Sequence, residues 1–235
     1  MNNRSEYVRN LFSSIAPTYD FLNTFLSFNQ DKRWRTRVIR EAQVPESGIV
    51  LDLCTGTGKL VFAFQEKSPA KLVVGLDFSF EMLAVAQTMQ SLISNLESRN
   101  KVSFIQADAI EIPFQDNTFD CITIAFGIRN IPDLTKLFQE MLRVTKPGGK
   151  MIALELTRPQ NKIVYLFYYL YLHLYLPILG RLVSKNKTAY TYLATTISQF
   201  YDREQIKQFM HDSGWQQVNN IQLTLGITTI YVGVK

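Results

Sequence analysis

VLDLCTGTGKL, residues 50–60, opens as an apolar β run and closes as the start of a helix, with Gly56, Thr57 and Gly58 in between. Glycine accepts positive φ and lets a ligand approach the main chain with no Cβ in the way. A strand, a glycine turn and a helix in this order are the usual opening of a doubly wound α/β sheet, whose ligand sits beyond the carboxyl end of the strand. The fold therefore depends on whether the rest of the chain keeps the same rhythm.

It does. Apolar runs that read as strands follow at LVVGLD (72–77), VSFIQAD (102–108), FDCITIAF (119–126) and KMIALEL (150–156), after IVLDL (49–53). Helical patterns lie between them at KLVFAFQEK (59–67), SFEMLAVAQTMQSLISNLE (79–97) and LTKLFQEMLRVT (134–145). That alternation predicts a parallel sheet covered on both faces. SGWQQVNNIQLTLGITTIYVGVK (213–235) instead gives two β runs around Gly226 with no room for a crossover helix, so it predicts a terminal hairpin. The expectation is an α/β fold with about seven strands, mostly parallel, one of them antiparallel.

Functional residues should follow the strand ends. Asp77 closes the second strand, nineteen residues after Gly58, where a carboxylate can accept from both hydroxyls of a ribose. NAD and S-adenosylmethionine both present such a ribose. The dinucleotide fingerprint wants a third glycine at position 61, which is Val61, so phosphate binding is disfavoured. Asp108 and Ala109 follow the third strand, where a carboxylate can hold the exocyclic amine of adenine. A Pro147-Gly148-Gly149 turn is expected ahead of strand five. Asp52 either orients the glycine loop or meets the amino group of the ligand, and Met82 reads as core. In combination DLCTGTG, GLD, ADA and KPGG resemble the class I S-adenosylmethionine-dependent methyltransferases over residues 45–235. The resemblance implies their Rossmann-like fold and assigns Asp52, Gly56, Thr57, Gly58, Asp77, Asp108 and Ala109 to the cofactor.

Composition sets the outer limits. With 235 residues, 46% hydrophobic and 19% charged, the chain has enough apolar content for one sizeable core and reads as one elaborated domain. A net charge of +5 is too modest to claim nucleic acid as a partner. Cys54 and Cys121 stand far apart in no metal-ligand spacing, which points to a reducing, cytoplasmic setting without a metal. The opening MNNRSEYVRN has no apolar signal core.

The region before the sheet narrows the acceptor. VRNLFSSIAPTYDFLNTFLSFNQDKRWR (8–35) places Phe12, Ile15, Ala16, Tyr19, Asp20, Asn23, Leu26, Ser27 and Trp34 in the register of the menaquinone and ubiquinone C-methyltransferases. RVTKPGGKMIALELT (143–157) and FGIRNIPD (126–133) are similar to two further signatures of that family. Leu22, Asp31, Ala125 and Thr157 depart from it, where many members carry Met, His, Ser and Ser. The resemblance implies methyl transfer to a ring carbon of a prenylated quinol, demethylmenaquinol before the benzoquinol precursor of ubiquinone. It makes residues 1–46 a helical cap and 157–200 an inserted helical lid.

Loss of a phenolic proton would push electron density onto the ring carbon, so the site must stabilise a phenolate. Arg129, just past strand four, is expected to stabilise the phenolate or to polarise a water that serves as base, because a guanidinium is itself a poor proton acceptor. Asn130 is placed to orient the quinol oxygen. Tyr19 and Asp20 are placed to close over the cofactor and ring. A non-catalytic subunit that only holds S-adenosylmethionine is the competing reading from another class.

One segment remains. IVYLFYYLYLHLYLPIL (163–179) has no charged residue and five tyrosines. It is short for a bilayer span, and its tyrosines and His173 would be costly at mid-depth. Helical spacing puts Tyr165, Tyr168, Tyr169, Leu172, Tyr175 and Leu176 on one face, as a lid and groove for a polyprenyl tail. His173 reads as packed rather than catalytic. Arg158, Lys162, Arg181, Lys185 and Lys187 flank the segment without a nearby acid, so peripheral contact with an anionic membrane is a further expectation. A homodimer is also compatible with the sequence.

Overall fold

The computed structural model describes residues 26–93, 101–176 and 187–235 together with Asp20 and Thr24. Tyr19 and the signature residues Phe12, Ile15, Ala16 and Asn23 lie outside the described residues, as do Arg181 and Lys185.

Seven strands form one sheet: β1 (Ile49–Leu53), β2 (Leu72–Asp77), β3 (Lys101–Gln106), β4 (Phe119–Ala125), β5 (Thr145–Leu156), β6 (Gln216–Leu223) and β7 (Thr228–Val234). Their order is β3-β2-β1-β4-β5-β7-β6. The first five are parallel, and β7 runs antiparallel to both of its neighbours, as the terminal hairpin required. Strand order reverses beside β1, between β2 and β4. The crevice beyond the carboxyl ends of β1 and β4 is thus the expected ligand site.

Two apolar layers cover the sheet. On one face α1 (Gln30–Ala42) and α2 (Lys59–Lys67) bury Trp34, Val38, Val61 and Phe64 against Val50, Val73 and Ile152. On the other, α4 (Leu134–Val144) and α7 (Arg203–Asp212) bury Leu137, Phe138, Met141, Ile206 and Met210 with Trp215. Between β2 and β3 runs α3 (Phe80–Ile93), and Met82 in it is core as read. Both layers are needed because central parallel strands are apolar on both sides, as IVLDL is.

Two expectations are corrected. The Pro147-Gly148-Gly149 segment is not a turn ahead of β5 but an irregularity inside it. The strand starts at Thr145, pairing with β4 slips between Phe119 and Cys121, and Gly148 sits at φ 76° with its N–H on the Lys235 carbonyl. Between the pairs Phe119 with Thr145 and Cys121 with Lys150, β5 carries three more residues than β4, and the ladder resumes past them. The second correction concerns the greasy segment, which forms α5 (Lys162–Leu170) and a π-helical turn at Tyr171–Tyr175, packed on α6 (Lys187–Gln199).

The buried stripe there is Tyr168, Leu172 and Leu176, whereas Tyr165, Tyr169 and Tyr175 are 38%, 44% and 48% exposed. Bonding from i to i+5 in the π-helical turn offsets the drift of an α-helix, so residues four and eight apart stay in line. That line packs on Ala194 and Ile197 of α6, with Leu26, Leu156 and Ile227 alongside. His173 packs on Tyr169, with ring centres 4.2 Å apart, and lies near Ser198 Oγ (3.4 Å). No helix among the described residues is long and apolar enough to cross a membrane.

Candidate functional site

The glycine turn after β1 carries three successive kinks of positive φ, at Cys54 (51°), Gly56 (56°) and Gly58 (80°). Nothing lies within 4 Å of where a Cβ on Gly56 would be, so the main chain there faces open space. The Gly56 N–H donates to Asp77 Oδ2 (2.8 Å), and Ser79 N–H donates to Oδ1 (2.9 Å). The acid closing β2 is thereby locked against the turn. Burial pushes its carboxyl above the usual range, against the pull of those N–H groups.

Asp52 is 1% exposed and accepts from Thr55 Oγ1 and Thr123 Oγ1, each at 2.7 Å. Of the two roles open to it, the geometry displays the orienting one: it ties the turn to the neighbouring strand β4. Burial pushes its carboxyl up to about 6, moderated by both threonine hydroxyls. From the cap, Asp20 reaches the same turn, accepting from Thr57 Oγ1 (2.6 Å) and lying 3.6 Å from Lys59 Nζ.

Asp108 is exposed just past β3, accepts from Ile110 N–H (3.1 Å), and acts electrostatically on Cys54. It stands beside the turn with room for a partner. Ala109 is buried in the core.

FGIRN, past β4, lies against this turn. A Cβ on Gly127 would meet Cys54 Cβ at 2.8 Å and Ile124 Cγ1 at 2.9 Å, so only glycine brings the two loops so close. Arg129 and Asn130 then sit in a single 3-10 turn, Ile128–Asn130. Arg129 is no surface group: it is buried and ion-paired with the fully buried Glu155 near the end of β5. Glu155 also accepts from the main-chain N–H of Arg129 (3.3 Å) and of Leu156 (2.8 Å). Burial raises its carboxyl, and the guanidinium opposes that. Asn130 Oδ1 accepts from the Tyr192 hydroxyl at 2.8 Å.

Arg129 forms part of the wall of a largely apolar cavity of about 450 Å³. Trp34, Phe126, Leu156, Tyr168, Leu172 and Ile197 line it as well. Trp34 Nε1 donates to Thr224 Oγ1 (2.9 Å), pinning α1 to the β6–β7 connection at the cavity edge. Asp31, the departure from the family pattern, also lines it, paired with Arg35 at 2.5 Å, and Arg35 lies over the Phe126 ring.

Sequence reasoning missed Glu155, and named Tyr168 only for the tail groove. An acid inside the all-apolar run KMIALEL was a visible signal, because a charge buried in a strand needs a partner. Tyr168 carried no signal of its own beside Arg129, being one of five tyrosines between Ile163 and Leu179. The Gly56 to Asp77 lock, by contrast, sits where the motif spacing put it.

Open space over Gly56, flanked by Asp77 and Asp108, fits a nucleoside with a free ribose and an adenine. Val61, fully buried at the start of α2, fills the place a pyrophosphate-binding glycine would need.

Comparison with known proteins agrees. The profile described as the ubiE/COQ5 methyltransferase family matches residues 1–235. The chain is 42% identical over 224 residues to a protein named demethylmenaquinone methyltransferase from Thermus thermophilus, covering 95% of this chain and 99% of the relative. It is 38% identical over 239 residues to the ubiquinone/menaquinone biosynthesis C-methyltransferase UbiE of Geobacter sulfurreducens, covering 100% of this chain and 91% of the relative. Among solved structures, a putative S-adenosyl-L-methionine-dependent methyltransferase from Methanococcus maripaludis superposes with a TM-score of 0.68 at 22% identity, covering 95% and 93% of the two chains. Sheet order, glycine turn and full-length match lead to one assignment: the chain belongs to the ubiE/COQ5 methyltransferase family.

Proposed function

We propose that this chain methylates a ring carbon of a prenylated quinol, demethylmenaquinol in the first instance, with S-adenosylmethionine as donor. The observation that carries the reading is the apolar cavity with Arg129 in its wall, ion-paired to the buried Glu155, on a loop that Gly127 lets approach the nucleoside turn. Residues 1–235 act as one catalytic domain, with 1–46 as its cap and 157–200 as its lid.

Bound S-adenosylmethionine supplies an electrophilic methyl group, and its sulfur leaves with the bonding pair as a neutral thioether. Gly56, Asp77 and Asp108 hold the nucleoside, and Asp52 keeps the turn in shape through Thr55 and Thr123. The quinol must lose one phenolic proton to make its ring carbon nucleophilic, and later the ring proton to regain aromaticity. Arg129 stabilises the phenolate, its guanidinium aimed by Glu155, and Asn130 orients the oxygen. Apolar walls exclude water, which strengthens these contacts.

Burying each CH₂ of a prenyl tail is worth roughly 0.8 kcal/mol, so even a short length rewards the cavity. Its mouth carries Phe28 and Leu225, 71% and 75% exposed. Beside it Ile163, Leu166, Phe167, Leu170 and Leu174 are exposed in one segment, with Lys162 at its start. Such a surface suits contact with an anionic bilayer that keeps the outer tail in lipid. Co-sedimentation with anionic vesicles tests this contact, and a stable homodimer that buries the same face is the contrary result.

Deleting the gene and identifying the quinones that accumulate tests the function. A demethylated naphthoquinone carrying its full tail is expected. Unchanged quinones would overturn the reading, and an accumulating benzoquinone precursor would move the acceptor.

A further inference from the structure

Tyr168 and Tyr171 line the cavity and Tyr192 bonds Asn130; the hydroxyls of Tyr171 and Tyr192 are already committed. Tyr171 donates to the Leu26 carbonyl at 2.7 Å, fastening the lid to the cap. Tyr192 donates to Asn130 Oδ1. Tyr168 differs. Its side chain is 7% exposed and lines the cavity together with Arg129. Both Arg129 and Glu155 act electrostatically on its hydroxyl, yet that hydroxyl makes no hydrogen bond among the described residues.

The Tyr168 hydroxyl is not sealed in the core; the residue lines the cavity, so a ligand oxygen there can meet an uncommitted donor. The position of Tyr168 is not loose either. Asn161 caps α5 by accepting from the N–H groups of Ile163 (2.9 Å) and Val164 (3.2 Å), which sets the start of the helix. Leu172 and Leu176, in line with Tyr168, lock the segment onto Ala194 and Ile197. The ring lies nearly parallel to that of Tyr171 (11°, centres 6.5 Å apart). Cap, stripe and stacking together hold one hydroxyl at the cavity wall beside the guanidinium.

We infer that Tyr168 is a catalytic hydrogen-bond donor of the lid, its hydroxyl meeting the same quinol oxygen as Arg129 once substrate fills the cavity. This deepens the function proposed above and rests on it. Burial raises the Tyr168 phenol, so it keeps its proton and serves as a donor rather than as the base. The phenolic proton of the quinol, and later its ring proton, pass to solvent at the open mouth of the cavity, and the oxygen is left between two donors, one neutral and one charged. The lid thereby takes part in chemistry: until Tyr168 is seated on α6, the phenolate has only half its donors.

Tyr168→Phe removes the hydroxyl and keeps the ring. With wild-type melting behaviour and S-adenosylmethionine affinity, it is expected to lose about ten- to a hundredfold in kcat with little change in KM for the quinol. The ascending, acidic limb of its pH–rate profile should move up by about one unit, since the bound phenol becomes harder to ionise. Tyr201→Phe, on the outer surface, should leave both unchanged. A readout independent of turnover uses 4-methoxy-1-naphthol, a tailless phenol whose anion absorbs at longer wavelength. Bound to wild-type protein it should ionise at lower pH than when bound to Tyr168→Phe.

Wild-type kcat, pH profile and naphthol ionisation in Tyr168→Phe would overturn the inference and leave the function standing. Loss of kcat with neither the profile nor the naphthol titration shifted would also overturn it, by making Tyr168 structural. Wild-type protein that leaves the quinol unmethylated would overturn both.

Discussion

Arg129 and Glu155 meet as an ion pair with side chains 6% and 0% exposed, and every further contact of the carboxylate is to main-chain N–H groups at 2.8 and 3.3 Å. Two charges have been taken out of water at the wall of a cavity, an arrangement that seldom adds stability over a well-packed apolar pair. Glu155→Ala strands the guanidinium and should cost about 3–5 kcal/mol in urea unfolding. Replacing both, Arg129→Met with Glu155→Leu, should recover most of that loss while turnover stays at background. Restored stability with restored turnover would remove the pair from the mechanism.

Asp77 is the acid on which the nucleoside reading rests. Asp77→Ala removes the expected ribose acceptor and also frees the Gly56 N–H. Calorimetry should find S-adenosylmethionine affinity down by about ten- to a hundredfold, the worth of one or two charge-assisted hydrogen bonds. An unchanged heat of binding would place the ribose elsewhere.

Asp52 makes stability depend on pH. Its carboxyl is pushed up to about 6 in the fold from an ordinary 3.8, so the folded state holds a proton that the unfolded state has released. The contribution is therefore full below the ordinary value and is lost as pH rises through about 6. Relative to Asp52→Asn, which cannot titrate, wild type should lose on the order of 3 kcal/mol between pH 4 and pH 7. Parallel unfolding curves for the two proteins over that range would contradict this.

Gly127 holds the two loops of the site together. Gly127→Ala puts a methyl group 2.8 Å from Cys54 Cβ, which no flexible side chain can yield to. It should destabilise by about 1–3 kcal/mol and lower turnover more than S-adenosylmethionine affinity. Thermal melts and steady-state kinetics check both.

Val164 lines the cavity from the first turn of α5. Val164→Trp should raise KM for a long-tailed quinol about fifteenfold, the loss of roughly two buried CH₂ groups, and leave a tailless analogue almost unaffected. Equal effects on both would argue against a tail groove.

How much of this was readable in advance follows from the range of the forces involved. The glycine turn, Asp77 and the alternation of strands with helices are local consequences of β and helical periodicity, and they fell where spacing placed them. The hairpin was legible for the same reason, since 213–235 has no room for a crossover. Asp20 on Thr57, Glu155 under Arg129 and Trp34 on Thr224 join residues far apart in the chain, and periodicity is blind to such pairs. The lid was misread in part because a π-helical turn breaks the period on which the reading relied. The bulge at Gly148 escaped because a Pro-Gly-Gly run reads equally as a turn or as a strand irregularity.

The central claim is carbon methylation of a quinol from a sulfonium nucleoside. Purified protein incubated with S-adenosylmethionine deuterated at the methyl group and reduced demethylmenaquinone should yield menaquinone with the intact deuterated methyl on its ring carbon, read by mass spectrometry with fragmentation. A label that appears on oxygen, or a quinone that stays unlabelled while S-adenosylmethionine binds, would contradict the account.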